Sequence, residues 1–224
     1  MANNRPKAWI AWSSGKDSAW SLHVARQKKE VDIVGMLTTV TGDYDRVSMH
    51  AVRTALLDAQ AEAVGLPLYR VTIPAKCTNE IYESKMAEAM DAAKAAGVTH
   101  MVFGDLFLEE IRNYRVANLA KVGMSANFPL WRSDTRALAR EMISAGLKAY
   151  LTCIDPRKMP RDLAGHAFDD DLLGRLPSGV DPCGENGEFH TFVYGGPMFR
   201  KEIPVKIGDT VEREGFVFTD VLPA

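Results

Sequence analysis

The chain has 224 residues and a mass of 24.7 kDa, long enough for one medium domain with a smaller unit attached. With 46% hydrophobic and 25% charged residues, and 17 glycines and 11 prolines in no collagen-like period, fibrous and disordered classes are excluded. Lysine and arginine total 27 against 29 acids, and a net charge of −2 offers little attraction to a polyanion, so nucleic acid is not an expected partner.

In chain order, residues 7–12, 31–40, 68–73, 100–103 and 148–154 are rich in Val, Ile and aromatics and predict strands. Residues 17–29, 49–64, 78–96, 107–115 and 136–145 predict helices between them. Three of these stop at Gly65, Gly97 and Gly146, the expected residue just past a helix end, because glycine enters the left-handed region without penalty. Strand and helix alternating in this way predict an α/β fold, a parallel sheet with helices on both faces. After Asp155, Pro156, Pro160, Pro177, Pro182, Pro197 and Pro204 arrive with several glycines and long helical periodicity stops. The expected division is therefore 1–155 and 156–224, the second part a small α+β unit with short antiparallel strands at 189–194, 203–207 and 214–221. Cys77, Cys153 and Cys183 are dispersed and odd in number, which fits a reducing compartment. No run suggests a signal peptide or a membrane span, so a cytoplasmic location without a membrane partner is expected.

Directly after the first strand stand Ser13, Ser14, Gly15, Lys16, Asp17 and Ser18, followed by a helix, which places small residues and backbone N–H groups where an anion would sit. A Walker A loop would need glycine where Ile10 stands and Ser or Thr where Asp17 stands. A carboxylate beside phosphate is repulsive unless a cation lies between, so Asp17 is either a Mg²⁺ contact or, with Ser18, a helix cap. The loop resembles the SGGxDS loop of the PP-loop ATP pyrophosphatases, with Ser14 in place of a glycine. Positive φ there would cost a serine roughly 1–2 kcal/mol.

Gly104 and Asp105 close the fourth predicted strand at the same edge, so Asp105 is a second candidate for the Mg²⁺. Arg112 and Arg115 share a helical face, and an ion-pair surface with Glu109 is the expectation from spacing. The densest polar cluster runs from Asp181 to Thr191 and holds Cys183, Glu185, Glu188 and His190 among glycines. It has more functional groups than a turn needs, and Cys183 and His190 alone do not make a zinc site. A buried free thiol is the expectation for Cys183.

Taken in order, residues 13–18, 104–115 (GDLFLEEIRNYR) and 182–191 (PCGENGEFHT) resemble the diphthine–ammonia ligase family, a branch of the PP-loop group. The resemblance implies ATP at the carboxyl ends of the strands, with the adenine near Leu37 and Thr38. It further implies activation of a carboxylate, on a protein or small molecule, as an acyl-adenylate that ammonia or an amine attacks. Lys16, Glu185, Glu188 and His190 are then the candidate catalytic residues. Here the last motif reads Glu185-Asn186-Gly187-Glu188-Phe189-His190, against the Glu-Gly-Gly-Glu-Tyr-Glu form of that family's diphthamide makers. Rival readings are a PP-loop enzyme acting on RNA, or a sensor that holds ATP without turnover. The sensor would not need the 181–191 cluster, and a homodimer is open.

Overall fold

The computed structural model describes residues 5–42, 46–47 and 52–224. Among these, five parallel strands form the larger sheet in the order β4-β2-β1-β5-β6. They are β1 (Lys7–Ala11), β2 (Asp32–Thr41), β4 (Leu68–Ile73), β5 (Val98–Val102) and β6 (Ser125–Asn127), while the two-residue β3 (Arg46–Val47) pairs antiparallel with the end of β2.

Successive side chains of a strand point to opposite faces, and here alternate residues enter different cores. Ala8 and Ile10 of β1 face α1 (Lys16–Lys28) and α2 (Thr54–Val64), together with Met36 and Val102. Trp9, Leu37, Met101 and Phe103 face α3 (Asn79–Ala95) and α4 (Glu109–Lys121) through Ala89, Met90, Ala93 and Leu119. Helices therefore cover both faces, as the strand-helix alternation predicts. Gly65, Gly97 and Gly146 all take positive φ, between 73° and 83°, at the ends of α2, α3 and α5 (Thr135–Ser144). The described part of α2 begins at Thr54, and the expected start at Met49 lies outside the described residues.

Strand β7 (Lys148–Ile154) corrects the reading of 148–154 as one more parallel strand. It pairs antiparallel with β8 (Phe189–Gly195) and with β10 (Phe216–Pro223), whose other neighbour is β9 (Val205–Arg213). An apolar run is equally compatible with either sheet, and only its partners decide. The second sheet thus takes its first strand from before Asp155. It has no separate interior: Leu151, Ile154, Phe192, Val193 and Val221 belong to the same cluster as Trp20, Leu22 and Leu57 of α1 and α2. The short α6 (Asp170–Arg175) is capped by Asp169, whose carboxylate accepts the Leu172 N–H at 2.9 Å.

Candidate functional site

Strand β1 lies between β2 and β5, where the strand order reverses, so the loop leaving its carboxyl end opens onto a crevice of the kind in which open α/β sheets bind ligands. The loop is held by its own hydroxyls. Ser18 Oγ donates to the Gly15 carbonyl at 3.0 Å and lies 3.1 Å from Ser13 Oγ, which accepts the Gly15 N–H at 3.3 Å. Gly15 is the N-cap of α1 and contributes no side chain, so the cap of the helix comes from elsewhere in the chain. Ser14 has φ 71°, the left-handed conformation for which a glycine is the ordinary choice. Its carbonyl accepts from Val193 N at 3.0 Å and from Gln60 Nε2 at 3.1 Å, so the second sheet and α2 both grip the loop.

Lys16 is only 2% exposed. Its ammonium donates to Asp17 Oδ2 at 2.9 Å and to the Cys183 carbonyl, and it lies 5.2 Å from the Phe189 ring centre and 5.8 Å from that of Phe168. Burial pulls its pKa down, but Asp17, Cys183 and Glu185 outweigh this and hold it above the ordinary value, so it is a permanent cation. Its backbone N–H donates to Thr191 Oγ1 at 3.0 Å. Lys16 therefore joins the loop to the 181–191 turn.

Asp17 is short of positive partners. Burial pushes its pKa up in spite of Lys16, and Oδ1 is buried without a hydrogen bond. Gly104 brings Asp105 beside it: a Cβ on Gly104 would lie 2.8 Å from the Asp17 carbonyl carbon, so only glycine lets β5 approach the loop this closely. Asp105 pairs with Arg115, Nε to Oδ2 at 2.9 Å. Two acids facing one cleft, each with a buried oxygen that accepts no hydrogen bond, fit a divalent cation. Among the described residues the one three-ligand grouping, His166, Asp169 and Asp171, does not line this cavity.

The expected surface pairing of Arg112 and Arg115 with Glu109 is not formed. Glu109 pairs instead with Arg132 at 3.0 Å. Arg115 lies 4.5 Å from the Phe103 ring centre, and Arg112 lies 5.3 and 5.1 Å from those of Phe128 and Trp131. Phe103 and Phe128 stack at 5.5 Å. Spacing puts both arginines on one face, but aromatic residues from outside the helix decide what they touch.

The 181–191 turn closes on itself. Gly184 and Gly187 have φ 69° and 77°, Asp181 Oδ2 accepts the Glu185 N–H at 2.9 Å, and Glu188 Oε1 accepts from Asp181 N and Asn186 Nδ2, each at 3.2 Å. Glu188 is 2% exposed and absent from the cavity wall. An expected site residue, it folds into the turn because the Asp181 N–H and the Asn186 side-chain amide supply its donors. Glu185 faces the cavity and accepts the Leu106 N–H at 2.8 Å. Burial, helped by Asp17 and Asp105 and opposed by the Leu106 bond and Lys16, leaves its pKa pushed up to about 7. His190 also faces the cavity, and burial together with the charge of Lys16 pulls it down to about 4, so it is neutral at pH 7. The Cys183 thiol is buried, donates to the Thr135 carbonyl at 3.4 Å and is pushed above its ordinary pKa, as an inert thiol should be.

These groups meet in a cavity of about 630 Å³. Ser13, Lys16, Asp17, Ser18, Gly104, Asp105, Glu185 and His190 line its polar part, whereas Ser14 and Gly15 shape the loop from behind. Leu37, Thr38, Met86, Met90, Met101 and Leu119 supply apolar wall, and Thr38 Oγ1 is buried without a hydrogen bond. Such a volume with one apolar and one polar part suits a nucleotide. Sequence reasoning missed Gln60 because a lone glutamine in a helix carries no signal of its contacts.

Residues 6–125 match the family model for the diphthamide synthase N-terminal domain, and residues 134–221 that for the diphthamide synthase C-terminal domain. The diphthine–ammonia ligases of Rattus norvegicus and Homo sapiens are each 28% identical over 193 residues, 80% of this chain and 70% of theirs. That of Danio rerio is 28% identical over 229 residues, 93% of this chain and 90% of its own.

Proposed function

Because the chain belongs to the diphthamide synthase family, we propose that this enzyme is an ATP-dependent ligase that joins a carboxylate to ammonia or an amine through an acyl-adenylate. The observation that carries this reading is the single cavity that brings the 13–18 loop and Asp105 to the same space as Glu185 and His190. In the division of labour we propose, the chain up to Asp155 handles ATP and the remainder handles the acceptor.

A carboxylate oxygen of the substrate attacks the α-phosphorus of ATP, the bond to the oxygen bridging α and β phosphorus breaks, and pyrophosphate leaves. Ammonia then adds to the acyl carbon and AMP departs with the former carboxylate oxygen. The N–H groups at the start of α1 meet charge as it builds on pyrophosphate. Magnesium held by Asp17 and Asp105 would neutralise phosphate charge. Lys16, already shared between Asp17 and the Cys183 carbonyl, holds the two walls in register. Glu185, with a pKa of about 7, is matched to receive the proton that the attacking nitrogen loses. Neutral His190 offers a hydrogen-bonding ring where the family's form has an acid. That leaves Glu185 as the motif's one cavity-facing carboxylate among the described residues. Glu188 acts by shaping the turn.

The test is product chromatography with ATP, Mg²⁺, an ammonium salt and candidate carboxylates, beginning with diphthine, for which the relatives are named. AMP and pyrophosphate in ammonia-dependent amounts are expected. ADP as the main product would overturn the reading.

A further inference from the structure

We propose that Gln60 is a positioning residue that clamps the phosphate loop, holding the Ser14 peptide in its left-handed turn before ATP arrives; the inference rests on the reading of that loop as the triphosphate site. Gln60 lies on α2 with 0% exposure and does not line the cavity. Every polar function of its side chain is engaged. Oε1 accepts the Trp12 indole N–H at 2.9 Å, and Nε2 donates to the Ser14 carbonyl at 3.1 Å and the Val193 carbonyl at 2.6 Å.

The orientation of this amide follows from chemistry. Indole N–H is a donor only, so the amide oxygen must face Trp12, and the NH₂ must then face two carbonyls, which are acceptors only. The Ser14 carbonyl receives a second bond from Val193 N at 3.0 Å. Two donors on one carbonyl fix the plane of the Ser14–Gly15 peptide and turn the Gly15 N–H to the opposite side, toward Ser13 Oγ on the cavity wall. A serine at φ 71° does not favour this conformation by itself. Gln60 supplies from α2 what glycine would supply from the loop.

The experiment compares wild type, Gln60→Leu and Gln60→Leu with Ser14→Gly. Hydrogen exchange of the 12–19 segment is followed without ligand, and steady-state kinetics in ATP are measured. Gln60→Leu should exchange about tenfold faster there and show a KM for ATP raised about tenfold with kcat within threefold, the scale of a lost buried hydrogen bond or two. Adding Ser14→Gly should restore both to within threefold, because glycine enters the left-handed region unaided; a side chain that only fills the core would not be rescued from residue 14. Exchange within twofold of wild type in Gln60→Leu, or no rescue by Ser14→Gly, overturns the proposal. Should Gln60→Leu not fold, Trp12→Phe releases the amide to turn over, and faster exchange at 13–16 is expected; unchanged exchange there overturns it equally. If wild type consumes no ATP, the ligase reading fails while the exchange comparison still judges the clamp.

Discussion

The loop at 13–18 and the turn at 181–188 form opposite walls of one cavity and are built by opposite means. The turn places glycine at its left-handed positions and satisfies much of its backbone from within, through Asp181 and Glu188. The loop places a serine there and, beyond its own Ser13 and Ser18 hydroxyls, relies on partners far away in the chain: Gln60, Thr191 and Val193. A self-contained turn tolerates change around it, whereas a borrowed conformation fails with any of its holders.

Removing the tie between the walls has the largest expected effect. Lys16→Met leaves Asp17 without its cation and the Cys183 carbonyl without a donor. The expected loss is about 3 kcal/mol by denaturant unfolding, at the lower end for a broken buried pair because Asp17 is partly exposed. ATP binding by calorimetry should be abolished, and binding within a few fold of wild type would show that the walls hold register without Lys16.

Glu185→Gln tests the acceptor wall alone. Ammonia-dependent AMP release should fall about a hundredfold with ATP binding nearly unchanged. In wild type the rate should rise with pH through about 7 as Glu185 loses its proton, and the variant should lack that rise. Linkage gives a second sign. A carboxyl whose folded pKa is raised binds protons more tightly when folded, so wild-type stability falls as pH rises from about 4.5 to about 7. Glu185→Gln should therefore unfold later than wild type at pH 8, by about 1 kcal/mol after solvent screening of a partly exposed group.

Gly104→Ala sharpens the contrast from the loop side. Its Cβ meets Asp17 backbone at 2.8 Å, with about 1–3 kcal/mol of expected destabilisation in thermal or chemical unfolding and a weaker hold on ATP. Glu188→Gln should be mildest. The amide keeps an acceptor for the Asp181 and Asn186 donors and places its NH₂ where Oε2 has no hydrogen bond, so stability should stay within about 1 kcal/mol. A loss of turnover as deep as that of Glu185→Gln would place Glu188 in the chemistry after all.

What could be read along the chain was local: strand-helix alternation, glycines just past helix ends, the small-residue loop and its acids beside a strand end. What could not be read depends on partners. Residues 148–154 look alike in either sheet until β8 and β10 claim them. Glu185 and Glu188 are chemically identical three positions apart, and only the fold of the turn sends one outward and the other inward. Arg112 and Arg115 were legible as a pair on one face, but their aromatic neighbours come from residues before and after the helix. Ser14 was legible as a steric cost, and its remedy on α2 was not.

The Lys16 amide finds its partner Thr191 at a separation of 175 residues. During synthesis the loop therefore emerges long before the strand that completes it, and closing so distant a contact is slow in entropic terms. A nascent chain ending before β8 would carry the whole nucleotide motif without the hydroxyl that caps its helix or the Val193 N–H that holds Ser14. With the loop as the proposed triphosphate site, competence to bind nucleotide is expected to mature only with the last third of the polypeptide, and affinity for ATP would then double as a readout that folding has reached the second sheet.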